Sequence, residues 1–237
     1  MAQRTLLQLV NSAQTELNLP VSSVVFTSTD QNVVKLKNLL IAVADDLLRE
    51  YDWQDLITVY QFSTIAGQSS YSLPTDIDRF INGTFFDKTN RYPIRGPKTA
   101  SEWEWIQSGL VTSATPFERF RIFDNTFYVY PPPGTTTLNF VYEYISNNYV
   151  LVGGTTPGPS FTSDSDTCVF DSRLIIYGLK LKWKASIGQD TTDALSEYLR
   201  ILALRKGQDK PAPRLQLGPG MTFPIISGAN IPDGNWS

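Results

Sequence analysis

The sequence contains no histidine and only one cysteine, Cys168. The missing histidine excludes Ser-His-Asp and Cys-His triads, His-ligated zinc and His general bases in one step. Catalysis would have to run on carboxylates, lysine, tyrosine or the single thiol. One cysteine also rules out an internal disulfide framework, which fits synthesis in a reducing cytosol. No apolar run approaches the roughly 18–20 residues that a membrane span needs. The opening MAQRTLLQLVNSAQTELNLP has one early arginine and no uninterrupted apolar core, so no signal peptide is expected there. Charge is sparse, at 18% of residues, with a net of −3. A generally basic, nucleic-acid-gripping surface is therefore not expected. The balance is uneven, however: from Arg173 to Arg214 nine Lys or Arg stand against four Asp or Glu.

What is present is an ordinary globular composition, 41% hydrophobic over 237 residues, enough for a substantial core. The stretch Asp30 to Trp53 spaces Val33, Val34, Leu36, Leu40, Val43, Ala44, Leu47 and Leu48 at three- and four-residue steps. That period predicts an amphipathic helix, with Asp30 or Thr29 as its cap. Leu39 and Ile41 widen the apolar face, so it should meet more than one partner. Trp53 and Leu56 should fold back as anchors. Residues 3–17 predict a shorter helix that stops before Pro20. Later, Asp171 should cap a helix that carries Leu174, Ile175, Tyr177, Leu181 and Trp183, with Gly188 at its end. Asp190 or Thr191 should open the last helix, with Gly207 closing it. Arg200, Arg205 and Lys206 fall in its later turns, where cations suit the helix dipole.

Between these helices the texture is that of strands. Residues 57–74 alternate and break at Gly67, which predicts a β-hairpin. Asp78 to Phe86 adds another strand. Thr99 or Ser101 followed by Glu102 predicts a short capped helix over 99–108. Two aromatic arms, Phe117–Phe123 and Phe127–Tyr130, flank Asp124-Asn125-Thr126 and predict a second hairpin. Leu138, Phe140, Tyr142 and Tyr144 should share one face of a further strand. Such aromatic density admits base- or sugar-stacking platforms, although strand aromatics are mostly packing. The expected fold is thus α+β. A four-helix bundle (1–56 and 165–209) carries an inserted antiparallel β domain (57–164) and an extended C-terminal arm (210–237).

Candidate sites are few. Asp164, Asp166 and Asp171 resemble a calcium loop but lack the Gly and distal Glu of an EF-hand, so a solvated loop with a helix cap is favoured. A carboxylate glycosidase would need two acids about 5–10 Å apart across a cleft. Glu102/Glu104, Asp45/Asp46 and Asp164/Asp166 are adjacent in sequence and look like surface charges. No cofactor or metal is expected. A monomeric carbohydrate- or nucleic-acid-binding β module remains the other alternative. The arm is rich in Pro and Gly yet carries Leu215, Leu217, Met221, Phe223, Ile225, Ile226, Ile231 and Trp236. Such residues are scarce in disordered tails, so the arm should lie on a surface, its own domain or a neighbouring chain, with the neighbouring chain favoured.

This order of elements resembles the head-to-tail adaptors of tailed bacteriophages, the tail tubular protein A or tail accessory factor type. The likeness rests on LLQLVNSAQTELNL, NVVKLKNLLIAVADDLLREYDWQDL, YSLPTDIDRFI, FRIFDNTFYVYPPP and SDSDTCVFDSRLIIYGLKLKW. Within it stand a Tyr-x-Leu-Pro-x-Asp stretch, Tyr71 to Asp76, and a strand ending in prolines, Tyr130 to Pro133. The resemblance implies a non-enzymatic virion protein, typically twelve copies in a ring, assembled in the host cytoplasm. It further implies a portal protein on one side, a tail or nozzle protein on the other, and DNA passing through the lumen. The arm, Leu215 to Trp236, would insert into the portal assembly.

Overall fold

The computed structural model describes residues 3–108 and 118–209. The chain opens with α1 (Leu6–Glu16) and α2 (Gln31–Glu50). A 3-10 turn at Gln54–Leu56 leads into β1 (Ile57–Ser63), followed by β2 (Ser70–Ser72), β3 (Ile77–Phe80), β4 (Phe86–Asp87) and β5 (Tyr92–Pro93). Helix α3 (Ala100–Gln107) precedes β6 (Arg119–Phe123), β7 (Thr126–Tyr130) and β8 (Asn139–Ser146). Three short strands, β9 (Val150–Val152), β10 (Thr156–Gly158) and β11 (Thr167–Cys168), lead to α4 (Ser172–Ser186) and α5 (Thr192–Asp209).

The helix ends follow local chemistry. Thr5 accepts the Gln8 N–H while the Gln8 side chain accepts the Thr5 N–H, a reciprocal cap for α1. Asp30 accepts from Asn32 and Val33 to start α2, and Asp171 does the same for α4 through Arg173 and Leu174. The buried face of α2 is Val33, Leu36, Leu40, Val43, Ala44, Leu47 and Leu48. Trp53 folds back as anticipated, donating its indole N–H to the Leu47 carbonyl at 2.7 Å. Helix α5 does not close at Gly207 but runs on to Asp209. A glycine weakens a helix by about 1 kcal/mol without ending it.

This is not the four-helix bundle with one inserted β domain that the sequence predicts. The described residues hold five helices and three separate antiparallel sheets. Helix α4 occupies the middle, packing against α1, α2 and α5. Ile145, Tyr149, Val150, Phe161, Cys168 and Phe170, from the strand region, bury in the same core as the helices. The helices therefore need sheet residues to complete their core. A second core, largely aromatic, joins Tyr71, Phe85, Phe120, Phe127, Phe140 and Tyr142.

Strand pairing departs from the sequence expectation as well. The segments on either side of Gly67 do not pair with each other. β1 instead runs antiparallel to β8 over seven residue pairs, Ile57–Ile145 to Ser63–Asn139, while β2 pairs with β7. Alternation shows that a segment is a strand, but seven registered cross-strand pairs outweigh the proximity of a three-residue neighbour. The hairpin β6–β7 does form as anticipated. Phe123 faces Thr126 across Asp124 and Asn125, whose φ values of 48° and 53° make the left-handed two-residue turn that fits strand twist. In β8, Phe140, Tyr142 and Tyr144 face the aromatic core and Ile145 the helical one. One strand thereby ties both cores together.

Candidate assembly interface

The acidic loop ahead of α4 is structural. Asp164 accepts the backbone N–H groups of Val25 and Phe26 at 3.1 and 2.7 Å, fixing the link between α1 and α2. Asp166 is fully buried and accepts from the N–H of Gly153, Thr162 and Ser163 and from the Thr162 and Ser163 hydroxyls. Burial alone would raise the pKa of its carboxyl. The hydrogen bond from Gly153 and those from Ser163 and Thr162 outweigh it and hold the group well below the usual carboxylate range. The loop expected to be solvated is thus pinned from inside. Its carboxylates are occupied by N–H and O–H donors, and Asp171 serves as a helix cap, so the three do not form a cation cage. Among the described residues no group of three or more acidic or cysteine side chains gathers as a metal site.

The paired carboxylates sit where charges ordinarily sit. Glu102 accepts from the Thr99 N–H in a helix cap and pairs with Lys98 at 3.3 Å, while Glu104 is exposed. Asp46 pairs with Lys182 at 2.6 Å, and Asp45 bears on the Tyr149 hydroxyl, whose pKa is raised first by burial and then by that carboxylate. The aromatics of the second core face one another rather than solvent. Phe120, Phe127 and Tyr142 stack with interplanar angles of 13–14° and are at most 1% exposed. They form a core, not a platform for bases or sugars.

Two polar clusters join distant segments. In the Tyr-x-Leu-Pro-x-Asp stretch, the Tyr71 hydroxyl donates to Gln68 O at 2.8 Å and accepts from Ile65 N at 3.1 Å, closing the turn after β1. Leu73 is buried, and Asp76 accepts from the Tyr144 and Ser146 hydroxyls and the Asn148 amide, latching the end of β8. Burial, reinforced by Asp76, pushes the Tyr144 hydroxyl up to about 12. On β3, Arg79 reaches Leu48 O, Tyr51 O and Asp52 beyond α2. Sequence reasoning missed Arg79, because these three partners lie 27 or more residues away and leave no local pattern.

A depression of about 720 Å³ opens between the start of α1, the 3-10 turn, the N-terminus of α4 and the end of α5. Its walls mix signs: Arg205 pairs with Asp171 at 2.8 Å, and Asp209 accepts the Gln54 N–H at 3.0 Å. Trp53 and Phe170 line it as well, and both are nearly buried. Among the described residues, the cleft has no convergent polar set aimed at a reacting atom. Large apolar side chains left in solvent include Ile65, Phe123 and Val59 on the β side and Leu195, Leu199 and Leu204 on α5. The arm residues singled out from the sequence, Leu215, Leu217, Met221, Phe223, Ile225, Ile226, Ile231 and Trp236, lie outside the described residues.

Comparison with known proteins gives one answer. No curated protein sequence matches the chain. A sequence profile of the SU10 adaptor protein family matches residues 4–214, from the first turn before α1 to just past α5. The chain therefore belongs to the SU10 adaptor protein family, consistent with the phage head-to-tail adaptor that its sequence resembles.

Proposed function

We propose that the protein is one subunit of a non-enzymatic ring, of twelve copies, seated between the portal vertex and the tail of the virion. The observation that carries this reading is the adaptor-family match over residues 4–214. The use of the acidic side chains as caps, latches and ion pairs supports a structural role. Subunits would meet by heterologous contacts that close through rotation. Exposed apolar residues such as Leu195, Leu199, Ile65 and Phe123 are available for such contacts. The lumen would pass DNA, so its lining should be acidic or neutral and should not grip phosphates. One face would meet the portal and the other a tail or nozzle protein, with assembly in the host cytoplasm. The arm, from Leu215 to Trp236, would provide the portal contact.

Native mass of the purified full-length chain, alone and mixed with portal rings, tests this. The expected result is a closed oligomer on the portal. Phe223→Asp combined with Ile225→Asp should weaken portal capture without unfolding the chain. A chain that stays monomeric and unbound beside assembled portal would overturn the reading. Unimpaired capture by the double variant would remove the arm from it.

A further inference from the structure

The outer edge of β1 is unpaired among the described residues, since β1 ends its sheet and its one strand partner is β8. Which groups the edge exposes follows from register. Thr64 donates its N–H to Leu138 O at 2.8 Å, continuing the Ser63–Asn139 pairing. Antiparallel alternation then turns the N–H and C=O of Thr58, Tyr60 and Phe62 toward β8, and those of Val59, Gln61 and Ser63 outward. The other face of β8 agrees: the Glu143 and Asn139 carbonyls, opposite Val59 and Ser63, accept from Ile81 and Lys88. Ile57 N–H is already used by Gln54 O. Val59 is 60% exposed, and Gln61 and Ser63 are exposed with it. On the opposite face, Tyr60 and Phe62 lean half-buried on the aromatic core. A seven-residue edge of this kind is a template for another strand.

The chain itself supplies a fitting segment. Asp209, the last described residue before this segment, is hydrogen-bonded to Gln54, three residues before β1, which puts the attachment point of residues 210–237 at the foot of this edge. Residues 210–220 can span up to roughly 36 Å, and β1 is about 23 Å long, so the reach is ample. The family match ends at residue 214, and an alternating apolar run begins at Leu215: Leu215, Leu217, Met221, Phe223, Ile225. Two constraints fix how it fits. Met221, Phe223 and Ile225 must lie over the Tyr60–Phe62 face, and Pro224, which has no N–H, must point away from β1. In an antiparallel pair, residues opposite Tyr60 and Phe62 turn their own N–H groups outward, which would leave Pro224 at a donor position. In a parallel pair the residues on that face direct their N–H groups to β1, and Pro224 faces solvent.

We propose that in the unassembled protein Met221–Ile226 add to β1 of the same chain as a parallel edge strand. The arm would then be stored on its own subunit and would protect an edge open to aggregation. This inference concerns the free chain and stands whether or not the arm later binds the portal.

Amide hydrogen exchange of the free full-length protein, read by NMR at Val59, Gln61 and Ser63, tests it. Protection of about a hundredfold over unstructured peptide is expected. Phe223→Pro removes an inward N–H and should abolish that protection, whereas Thr222→Pro acts at an outward position and should preserve it. Rapid exchange at all three amides in the unaltered chain would overturn the proposal. Loss of protection in both proline variants would overturn the parallel register. Protection that grows with protein concentration would assign the edge to a neighbouring copy's arm and overturn docking on the same chain.

Discussion

Arg79 on β3 donates Nη1–H to the Leu48 carbonyl at 2.9 Å, closing the end of α2 from the neighbouring sheet. Its Nη2 reaches Tyr51 O at 2.9 Å and its Nε reaches Asp52 at 2.9 Å, while Asp78 pairs with it at 2.7 Å. One guanidinium therefore satisfies a last-turn carbonyl of α2, joins the Trp53 N–H on Tyr51 O, and fastens the sheet to the helices. Arg79→Ala should lower unfolding free energy by about 2–3 kcal/mol, as expected for hydrogen bonds to a charged group. Arg79→Lys should recover less than half, because an ammonium cannot serve the carbonyls and Asp52 together. Urea denaturation measures both; a loss under about 0.5 kcal/mol for Arg79→Ala would show the joint to be incidental.

Gly178 on α4 packs tightly against both α2 and α5. A Cβ added there would stand 2.6 Å from Val43 Cγ1 on α2 and 3.2 Å from Tyr198 on α5. Gly178→Ala should cost about 1–3 kcal/mol by overpacking, despite alanine's better helix propensity. Val43→Ala removes the obstructing methyls, so the double variant should be more stable than the sum of the two singles implies. Additive losses in thermal unfolding would mean that α2 and α4 separate to make room.

How much of this was legible depended on the range of the interaction. Helix α2, its Asp30 cap and the Trp53 anchor follow from periodicity and neighbours within a few residues. The β6–β7 hairpin follows from two aromatic arms flanking Asp124-Asn125-Thr126, although Thr126 itself joins β7 and leaves a two-residue turn. Sheet membership does not: Ile57 meets Ile145, 88 positions along, and nothing near Ile57 encodes that choice. The predicted bundle failed for the same reason, because Tyr149, Phe161 and Phe170 read as loop or strand residues yet complete the helical core. Asp164 and Asp166 were visible as a cluster, but their donors lie partly on other segments, so solvated acids and buried anchors look alike in sequence. Family membership was legible in the order and texture of segments, although no single motif carried it.

Asp166 should make stability depend on acid. Its folded pKa lies below the unfolded value near 3.9, so its contribution is complete above about pH 5 and is lost as pH falls through and below that value. Asp166→Asn turns an amide NH₂ toward buried donors and should cost about 2 kcal/mol or more at pH 7. The difference between the two proteins should shrink steadily from pH 5 to pH 3 in denaturant titrations. An unchanged difference across that range would mean that Asp166 does not titrate differently on folding.

Tyr142 carries the opposite kind of polar group. Its ring is 1% exposed and packs on Phe85 and Phe127, but its hydroxyl has no hydrogen-bond partner among the described residues. Burial raises its pKa first, with Tyr60 and Tyr144 adding to the shift, so the group stays neutral. A buried hydroxyl that lost its water without gaining a partner is a net cost of about 1–3 kcal/mol. Tyr142→Phe keeps the ring stack and deletes that group, so stability should hold or rise, by up to about 1 kcal/mol once the vacated space is counted. Tyr142→Ala, which removes the ring, should cost about 3–5 kcal/mol. The pair of variants separates the hydroxyl from the ring in one set of urea titrations. A clear loss on Tyr142→Phe would show that the hydroxyl has a partner in solution, and the aromatic core would then contain a polar tie.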